Sequence, residues 1–167
     1  MKTNAYIDGN NIHKGILDLS WRLDYKRFAS FLRFKYKAQK IYIFLGLIPS
    51  NIKLYQDLQE WGYTIVFKPI VPDGNGKVKG NCDAELVLQA TSDFYERKCD
   101  SAILVSSDGD FACLVKFLKE KGNDILILSP EPKSCSILLK RTGVSITYLQ
   151  ELRSKLAYEN EKHGRPK

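Results

Sequence analysis

The chain has 167 residues, of which 44% are hydrophobic, which suffices for one well-buried core but is too short for two full domains. No apolar run approaches the ~20 residues of a membrane helix, and the start, MKTNAYID, lacks the apolar stretch of a signal peptide, so we expect a cytoplasmic protein without membrane contact. The net charge of +7 favours a polyanionic partner, because excess Lys and Arg attract phosphate groups.

Short apolar runs alternate along the chain with stretches of helical spacing. The predicted strands are residues 5–7, 41–45, 64–67, 102–105, 125–128 and 146–149, and the predicted helices are residues 25–36, 52–61, 83–97 and 111–121. Gly122 marks the end of the last of these helices. Strands that are apolar on both faces are typical of a mostly parallel sheet covered by helices on each side. We therefore predict an α/β domain, a three-layer α/β/α sandwich, over residues 1–150, with the end of a helix and a polar tail over 151–167.

The segment AYIDGNNI, residues 5–12, places Asp, Gly and two Asn directly after the first predicted strand. Asp-Gly and Asn-rich pairs form turns readily, so one interpretation is a turn that Gly9 bends and in which Asn10 is the turn residue. The other interpretation is that Asp8 is a carboxylate placed at a strand end for chemistry. We interpret His13 as a residue at the start of a helix.

Further aspartates occupy comparable positions. Asp108 and Asp110 follow the fourth predicted strand in VSSDGDF, and Asp83 opens a helix on the stripe that faces the sheet. Singly, each has an ordinary explanation as a turn residue, a helix cap or a favourable charge at a helix start. Parallel sheets gather such residues at the carboxyl ends of central strands, where like charges ~4 Å apart repel by about 4 kcal/mol at an effective dielectric of ~20. A cluster of this kind needs protons or a cation, and its oxygen ligands favour Mg²⁺ or Mn²⁺.

Basic residues are concentrated in two segments. The first has no acidic residue and six basic ones: Lys26, Arg27, Arg33, Lys35, Lys37 and Lys40. Its pattern predicts an amphipathic helix with a solvated basic face, and nucleic acid can contact the same face. The second, PIVPDGNGKVKG at residues 69–80, is predicted to be an irregular loop. We name Lys77 and Lys79 of this loop, with Arg33 and Lys37 of the helix, as candidates to bind phosphates.

The cysteines are Cys82, Cys99, Cys113 and Cys135, and they contain no CxxC pair. They lie inside regular apolar patterns, which indicates buried reduced thiols rather than a zinc site or a disulfide framework.

Three segments carry a resemblance to a known family: IDGNNI (7–12), KGNCDAELVLQA (79–90) and LVSSDGDFACLVKFLKEKG (104–122). In this order and at these separations they resemble the NYN domain family of PIN-like nucleases, specifically its LabA-like branch. The resemblance runs from about residue 4 to residue 128. It implies a three-layer α/β/α fold with a central parallel sheet, and RNA cleavage that depends on Mg²⁺ or Mn²⁺.

The resemblance also assigns roles to individual residues. It implies that metal binding and catalysis involve Asp8, Asn11, Asp83, Asp108 and Asp110, all but Asn11 as metal ligands. Ser106 matches the small hydroxyl position of the family, and we name it as a substrate-binding candidate. The chain departs from some relatives in having Ser107 instead of Gly, and one residue more between Gly80 and Asp83, but neither difference removes an acidic group.

We therefore predict a metal-dependent ribonuclease whose aspartates hold the metal and orient the attacking water. One alternative is a non-catalytic NYN-like module that binds RNA or a nucleotide and acts through a protein partner, although a pure binder of polyanions gains nothing from clustered carboxylates. A second alternative is a phosphatase that acts on small phosphoesters. A homo-oligomer or a protein partner that selects the target RNA is a further expectation.

Overall fold

The computed structural model describes residues 1–79 and 81–159, without the side chains of residues 78 and 79. The strands of this part are β1 (Thr3–Asp8), β2 (Ala38–Leu47), β3 (Thr64–Pro69), β4 (Val71–Pro72), β5 (Val78–Lys79), β6 (Ser101–Val105), β7 (Asp124–Ser129) and β8 (Ile146–Tyr148). The helices are α1 (Gly9–Leu17), α2 (Tyr25–Tyr36), α3 (Ile52–Glu60), α4 (Asp83–Tyr95), α5 (Ala112–Glu120), α6 (Ile137–Lys140) and α7 (Arg153–Leu156). The polar tail predicted to end the chain lies outside the described residues from 160 onward.

The central sheet has the strand order β3-β2-β1-β6-β7-β8, and every neighbouring pair is parallel. Consecutive strands extend outward from β1 on one side and from β6 on the other. The chain order therefore reverses between β1 and β6, where sheets of this type open a crevice at the carboxyl ends of the strands. This confirms the predicted α/β sandwich with a parallel sheet, and each of the six predicted strands is present.

Helices cover both faces of the sheet because alternate residues of the central strands face opposite layers. In β1, Ala5 and Ile7 pack into one core with Ile12 of α1 and Phe28 of α2. Tyr6 points to the other core, which includes residues from α4 and α5. All these strand side chains are at most 2% exposed, so burial on both faces holds the carboxyl edge of β1 in place.

The first helix differs from the sequence prediction. Asp8 is followed at once by α1, so Gly9 is the first helical residue rather than a bend, Asn10 belongs to the first turn of the helix, and His13 lies well inside it. Gly9 has a packing reason, because a Cβ there would lie 2.8 Å from the carbonyl oxygen of Phe44 and would collide with Leu45. The chain can therefore pass from strand to helix close against the end of β2.

The segment predicted as an irregular loop contains a short antiparallel pair, β4 with β5. Asp73 closes its turn by accepting hydrogen bonds from the backbone N–H groups of Asn75 and Lys77, at 2.9 Å each. A second correction concerns the cysteines. Cys113 is exposed because it lies on the outer side of α5, whereas the other three are buried as predicted, and all four are free thiols.

A buried polar network lies at the amino-terminal edge of the sheet. Asp93 of α4 is 1% exposed and accepts hydrogen bonds from the Tyr6 hydroxyl at 2.8 Å, from Asn4 Nδ2 at 3.2 Å and from Gln89 Nε2 at 2.9 Å. The sequence pattern did not single out this carboxylate. Its bonds join α4 to β1 at the end remote from Asp8.

In residues 1–79 and 81–159, no helix has both the length and the apolar character that crossing a bilayer requires.

Candidate metal centre

Three of the four predicted metal-binding aspartates meet at the carboxyl edge of the sheet. Asp8 ends β1, Asp108 follows β6, and Asp83 is the first residue of α4. Each offers one carboxylate oxygen, and these three oxygens lie within 4.8 Å of one another. The three side chains are half-buried and line an open crevice of about 340 Å³. The crevice lies where the strand order reverses, as the topology requires.

Asp8 owes its orientation to its position between a strand and a helix. As the N-cap of α1 it has extended backbone geometry, and its Oδ1 accepts a hydrogen bond from the backbone N–H of Asn11 at 3.3 Å. Its Oδ2 accepts from the hydroxyl of Ser106 at 3.4 Å. The cap satisfies one of the helix's free N–H groups, so the fold itself keeps this carboxylate at the crevice.

Ser106 connects two of the aspartates. Its hydroxyl donates to Asp8 and accepts from the backbone N–H of Asp108 at 3.1 Å. Ser106 is fully buried, so it is not placed for the direct substrate contact that we predicted. Its hydroxyl instead bridges the carboxylate at the end of β1 and the backbone that follows β6.

Asn11 acts as a clamp between α1 and the loop after β6. Its side-chain Oδ1 accepts from the backbone N–H of Ser107 at 2.9 Å, and its Nδ2 donates to the Ser107 hydroxyl at 3.0 Å. These bonds run to the loop that carries Asp108 rather than to a carboxylate. Asn11 therefore ties the start of α1, which follows Asp8, to the loop that carries Asp108.

Asp83 is oriented by its own neighbours and by a nearby cation. Asn81 accepts from the backbone N–H of Asp83 at 2.7 Å and donates from Nδ2 to Asp83 Oδ2 at 3.1 Å. Lys68, near the end of β3, donates to the carbonyl of Asn81 at 2.8 Å and lies 3.7 Å from Glu85. This lysine ties the base of the β4–β5 hairpin to the start of α4.

Burial and nearby negative charges destabilise the charged forms of Asp8 and Asp83. The pKa of Asp8 is raised from 3.8 to about 6, chiefly by burial; the negative charges of Asp83 and Asp108 contribute to this rise, and the bonds from Asn11 and Ser106 partly oppose it. Burial also raises the pKa of Asp83, with further contributions from Asp108 and Asp110, while its bond to Asn81 and the charge of Lys68 lower it. Among the side chains that the structure describes, no cation forms a salt bridge with Asp8, Asp83 or Asp108. Within the described part of the chain, these three carboxylates thus have no cation paired to them directly.

Asp110, the fourth predicted ligand, lies beside this group rather than in it. It is exposed in the 3-10 turn Gly109–Phe111, and its backbone N–H donates to Asp108 Oδ1 at 2.9 Å. Gly109 permits the turn to approach α6, because a Cβ there would lie 3.0 Å from the Cβ of Ser136 and would collide with its hydroxyl.

The predicted phosphate-binding residues are not all near the centre. Arg33 and Lys37 lie at the end of α2, next to Ala38, which pairs with Thr3 at the start of β1. Asp8 is five residues further along β1, about 16 Å at ~3.3 Å per residue, so the structure does not bring these two to the site. Arg33 instead donates to the carbonyls of residues 61 and 62, and the Lys37 ammonium lies 5.3 Å from the centre of the Phe34 ring.

The two hairpin lysines lie in the segment that joins β3 to α4. Lys77 is exposed in the turn of the hairpin. Lys79 is in β5, four residues before Asp83 along the chain, and its side chain is outside the described part of the structure. Lys68, whose charge acts on Asp83, was not predicted, because only the fold brings it to Asn81 and Glu85.

The donor set suits a hard divalent cation. Carboxylate oxygens are the ligands that Mg²⁺, Mn²⁺ and Ca²⁺ accept, whereas zinc and copper sites usually include His or Cys. Charges 4.8 Å apart repel by about 3.5 kcal/mol per pair at an effective dielectric of ~20, and a cation among them removes this repulsion. A parallel sheet with an acidic centre at its switch point defines a doubly wound α/β domain with a candidate site for a divalent cation.

The comparisons agree with this class. The family model of the NYN domain matches residues 2–149, and the chain belongs to the NYN domain family, whose fold is PIN-like. A solved structure, that of a protein of unknown function (VPA0982) from Vibrio parahaemolyticus, is similar with a TM-score of 0.78 and 19% identity, over 94% of this chain and 96% of that one. At this identity the likeness shows the fold alone. Comparison with curated proteins gives no significant match.

Proposed function

We propose that this protein is a metal-dependent ribonuclease that hydrolyses phosphodiester bonds of RNA at the Asp8, Asp83 and Asp108 centre. The observation that carries the proposal is the convergence of these three carboxylates, from three separate segments, at the switch point of an NYN fold. A structural role does not explain three half-buried like charges, because each opposes the ionisation of the others.

The carboxylates would hold Mg²⁺ or Mn²⁺, which would lower the pKa of a bound water and neutralise charge on the phosphodiester. Ser106 and the Asn11–Ser107 clamp keep Asp8 and Asp108 at a fixed spacing, so the protein need not reorganise when substrate binds. Asp110, exposed at the rim, would orient the attacking water or complete the ligand set through water. Together these residues would align the attacking water with the phosphodiester, as its hydrolysis requires.

RNA is the proposed substrate class. The family and the net charge of +7 support it, since phosphate contacts supply most of the affinity of such complexes. Lys68 at the centre, with Lys77 and Lys79 of the hairpin, would hold phosphates on one side of the scissile bond. A cytoplasmic location belongs to the same proposal and is supported by four free thiols, which a reducing compartment preserves.

The experiment is cleavage of a 5′-labelled single-stranded RNA with Mg²⁺, with Mn²⁺ or with EDTA, by the parent protein, Asp108→Asn and Asp124→Asn. Asp108→Asn removes a charge from the centre, while Asp124 is an exposed aspartate at the start of β7, on the opposite edge of the sheet. We expect metal-dependent cleavage that Asp108→Asn reduces at least a hundredfold and that Asp124→Asn leaves within twofold of the parent.

Cleavage in EDTA, or equal cleavage by all three proteins, contradicts the proposal. RNA binding without turnover in either metal identifies a non-catalytic binding module instead. A chromogenic phosphoester serves as the small-substrate control. Faster turnover of that ester than of the RNA identifies a phosphatase.

A further inference from the structure

A cavity of about 430 Å³ opens next to the acidic centre, between α1, the end of β2 and α3. Gly9 and Asn10 line it, and these residues directly follow Asp8 in the chain. Asn10 also lines the acidic crevice, so the two spaces share a wall. When a polymer places one phosphate at the carboxylates, the neighbouring unit of that polymer therefore lies next to this cavity.

The cavity combines an apolar interior with planar groups at its mouth. Its deep residues include Ile43 and Leu58, each 1% exposed, and Tyr55 at 8%. Leu54 of α3 forms part of the wall and is 40% exposed. His13 also lines the cavity and is exposed on α1.

The mouth carries a positive charge stacked on an aromatic ring. The Arg22 guanidinium lies 5.3 Å from the centre of the Tyr158 ring, and both residues line the cavity. Both residues are exposed, so the pair presents a cation and an aromatic ring to solvent at the rim. A guanidinium of this kind attracts phosphate, and rings such as those of Tyr158 and His13 are stacking partners for bases.

We propose that this cavity binds one unstacked nucleobase of single-stranded RNA, next to the phosphate held at the carboxylates. This inference rests on the proposed function. Proteins that recognise single-stranded RNA splay its bases out and stack them on aromatic side chains or Arg, while the backbone follows charged groups. The interior of the cavity matches the faces of a base, its rim matches the adjoining phosphate, and its volume is within the ~300–1,000 Å³ typical of small-molecule sites.

The shared wall distinguishes this occupant from an unrelated apolar ligand. Nothing in the binding of an unrelated apolar ligand requires its cavity to adjoin Asn10 and the acidic centre. A base of the bound RNA must lie close to that centre, because its sugar and phosphate connect it to the scissile bond. The cavity lies on the β2 side of Asp8, whereas Lys68 contacts Asn81 and Glu85 at the start of α4, so the RNA would cross the centre between them.

The test compares two substitutions on one helix. Leu54→Glu places a charge in the wall of the cavity, and Ile52→Glu places the same charge on an exposed residue of α3 that does not line the cavity. Binding of a fluorescein-labelled RNA hexanucleotide is measured in Ca²⁺, which carboxylates accept and which can hold the neighbouring phosphate, and a gel of each sample verifies that the RNA is intact. A matched series of hexanucleotides lacks the base at one position at a time. Thermal melting of each variant checks that it is folded, and His13→Ala provides a milder change at the same cavity.

We expect the parent to lose about tenfold or more in affinity when the base is missing at one position, and little elsewhere. Leu54→Glu should show the same loss for the intact RNA and no further loss for that abasic RNA, because the two changes remove one interaction. Ile52→Glu should bind within twofold of the parent, and His13→Ala should fall between.

Equal effects of the two glutamates, or RNA binding that is absent or insensitive to which base is missing, contradict the inference. The outcome is separable from that of the proposed function. If the parent binds one base in this way but cuts no RNA in any metal, the proposed ribonuclease function is rejected and the base-binding cavity is retained. If the parent and folded Leu54→Glu cut RNA at the same rate and bind it equally well, the base-binding cavity is rejected and the proposed ribonuclease function is retained.

Discussion

Asp8→Asn should stabilise the metal-free protein at neutral pH, although it removes a residue of the proposed catalytic centre. Burial and the neighbouring aspartates raise the pKa of Asp8 from 3.8 to about 6 in the folded protein. The charged carboxylate is therefore disfavoured by folding. Asn is neutral at every pH and retains the oxygen that accepts the hydrogen bond from Asn11, so the cap of α1 survives.

The magnitude follows from the shift. The difference between about 6 and 3.8 is close to two pKa units, and at ~1.36 kcal/mol per unit it corresponds to about 3 kcal/mol at pH 7. Below pH 3.8 Asp8 is protonated in both states and causes no loss. Between these two pKa values the folded state binds more protons than the unfolded state, so the stability of the parent falls as pH rises, and above pH 6 the loss is constant.

Urea unfolding in EDTA at pH 4, 5.5 and 7.5, followed by circular dichroism, measures this effect. We expect the advantage of Asp8→Asn over the parent to be small at pH 4 and to reach about 2–3 kcal/mol at pH 7.5. Asp124→Asn, which changes an exposed carboxylate at the far edge of the sheet, should show no comparable pH dependence. An Asp8→Asn protein that is no more stable than the parent at pH 7.5, or equally favoured at pH 4, refutes the reasoning.

Three further predictions concern the same edge of the sheet and the remote one. Mn²⁺ at 100 times its dissociation constant should stabilise the parent by about 2.7 kcal/mol in thermal melts. Asp108→Asn should abolish most of that stabilisation. Asp110→Asn should reduce it less, because Asp110 does not belong to the group of three carboxylates. Asn11→Ala should cost about 1–3 kcal/mol in urea unfolding and lower kcat, because the backbone N–H of Ser107 loses its partner; unchanged kcat in a folded variant would argue against the clamp. Asp93→Ala should lower the free energy of unfolding by about 2–4 kcal/mol, because the buried Tyr6 hydroxyl and Asn4 amide lose their hydrogen-bond acceptor. RNA cleavage by the folded fraction should stay at the parent rate. A selective loss of cleavage would show that this remote network affects the site.

Sequence reasoning predicted the sheet well because its signal is strong. Each predicted strand is a run of apolar residues that must be buried on both faces, and parallel pairing then follows from the intervening helices. The same topology brought Asp8, Asp83 and Asp108 together, since each follows a strand or opens a helix at the carboxyl edge. For these residues the positions predicted from the local sequence pattern agree with those in the fold.

The errors have physical causes as well. The start of α1 reads as a turn because Gly and two Asn are poor helix formers, and packing against β2 overrides that propensity. Arg33 was assigned to the site from charge alone, although a helix between two parallel strands must run back to their amino edge. Partners such as Ser107 for Asn11 are 96 residues apart in sequence, and only the fold reveals them.

The central claim is that Asp8, Asp83 and Asp108 together hold one divalent cation. The most direct measurement is an anomalous difference map from crystals of the protein soaked in millimolar Mn²⁺, with a crystal of Asp108→Asn soaked in the same way. The account predicts a peak about 2–2.5 Å from a carboxylate oxygen of each of the three aspartates in the parent, and its loss or marked weakening in the variant. A parent map with no peak in this crevice, or with manganese bound elsewhere and unaffected by the substitution, would contradict it.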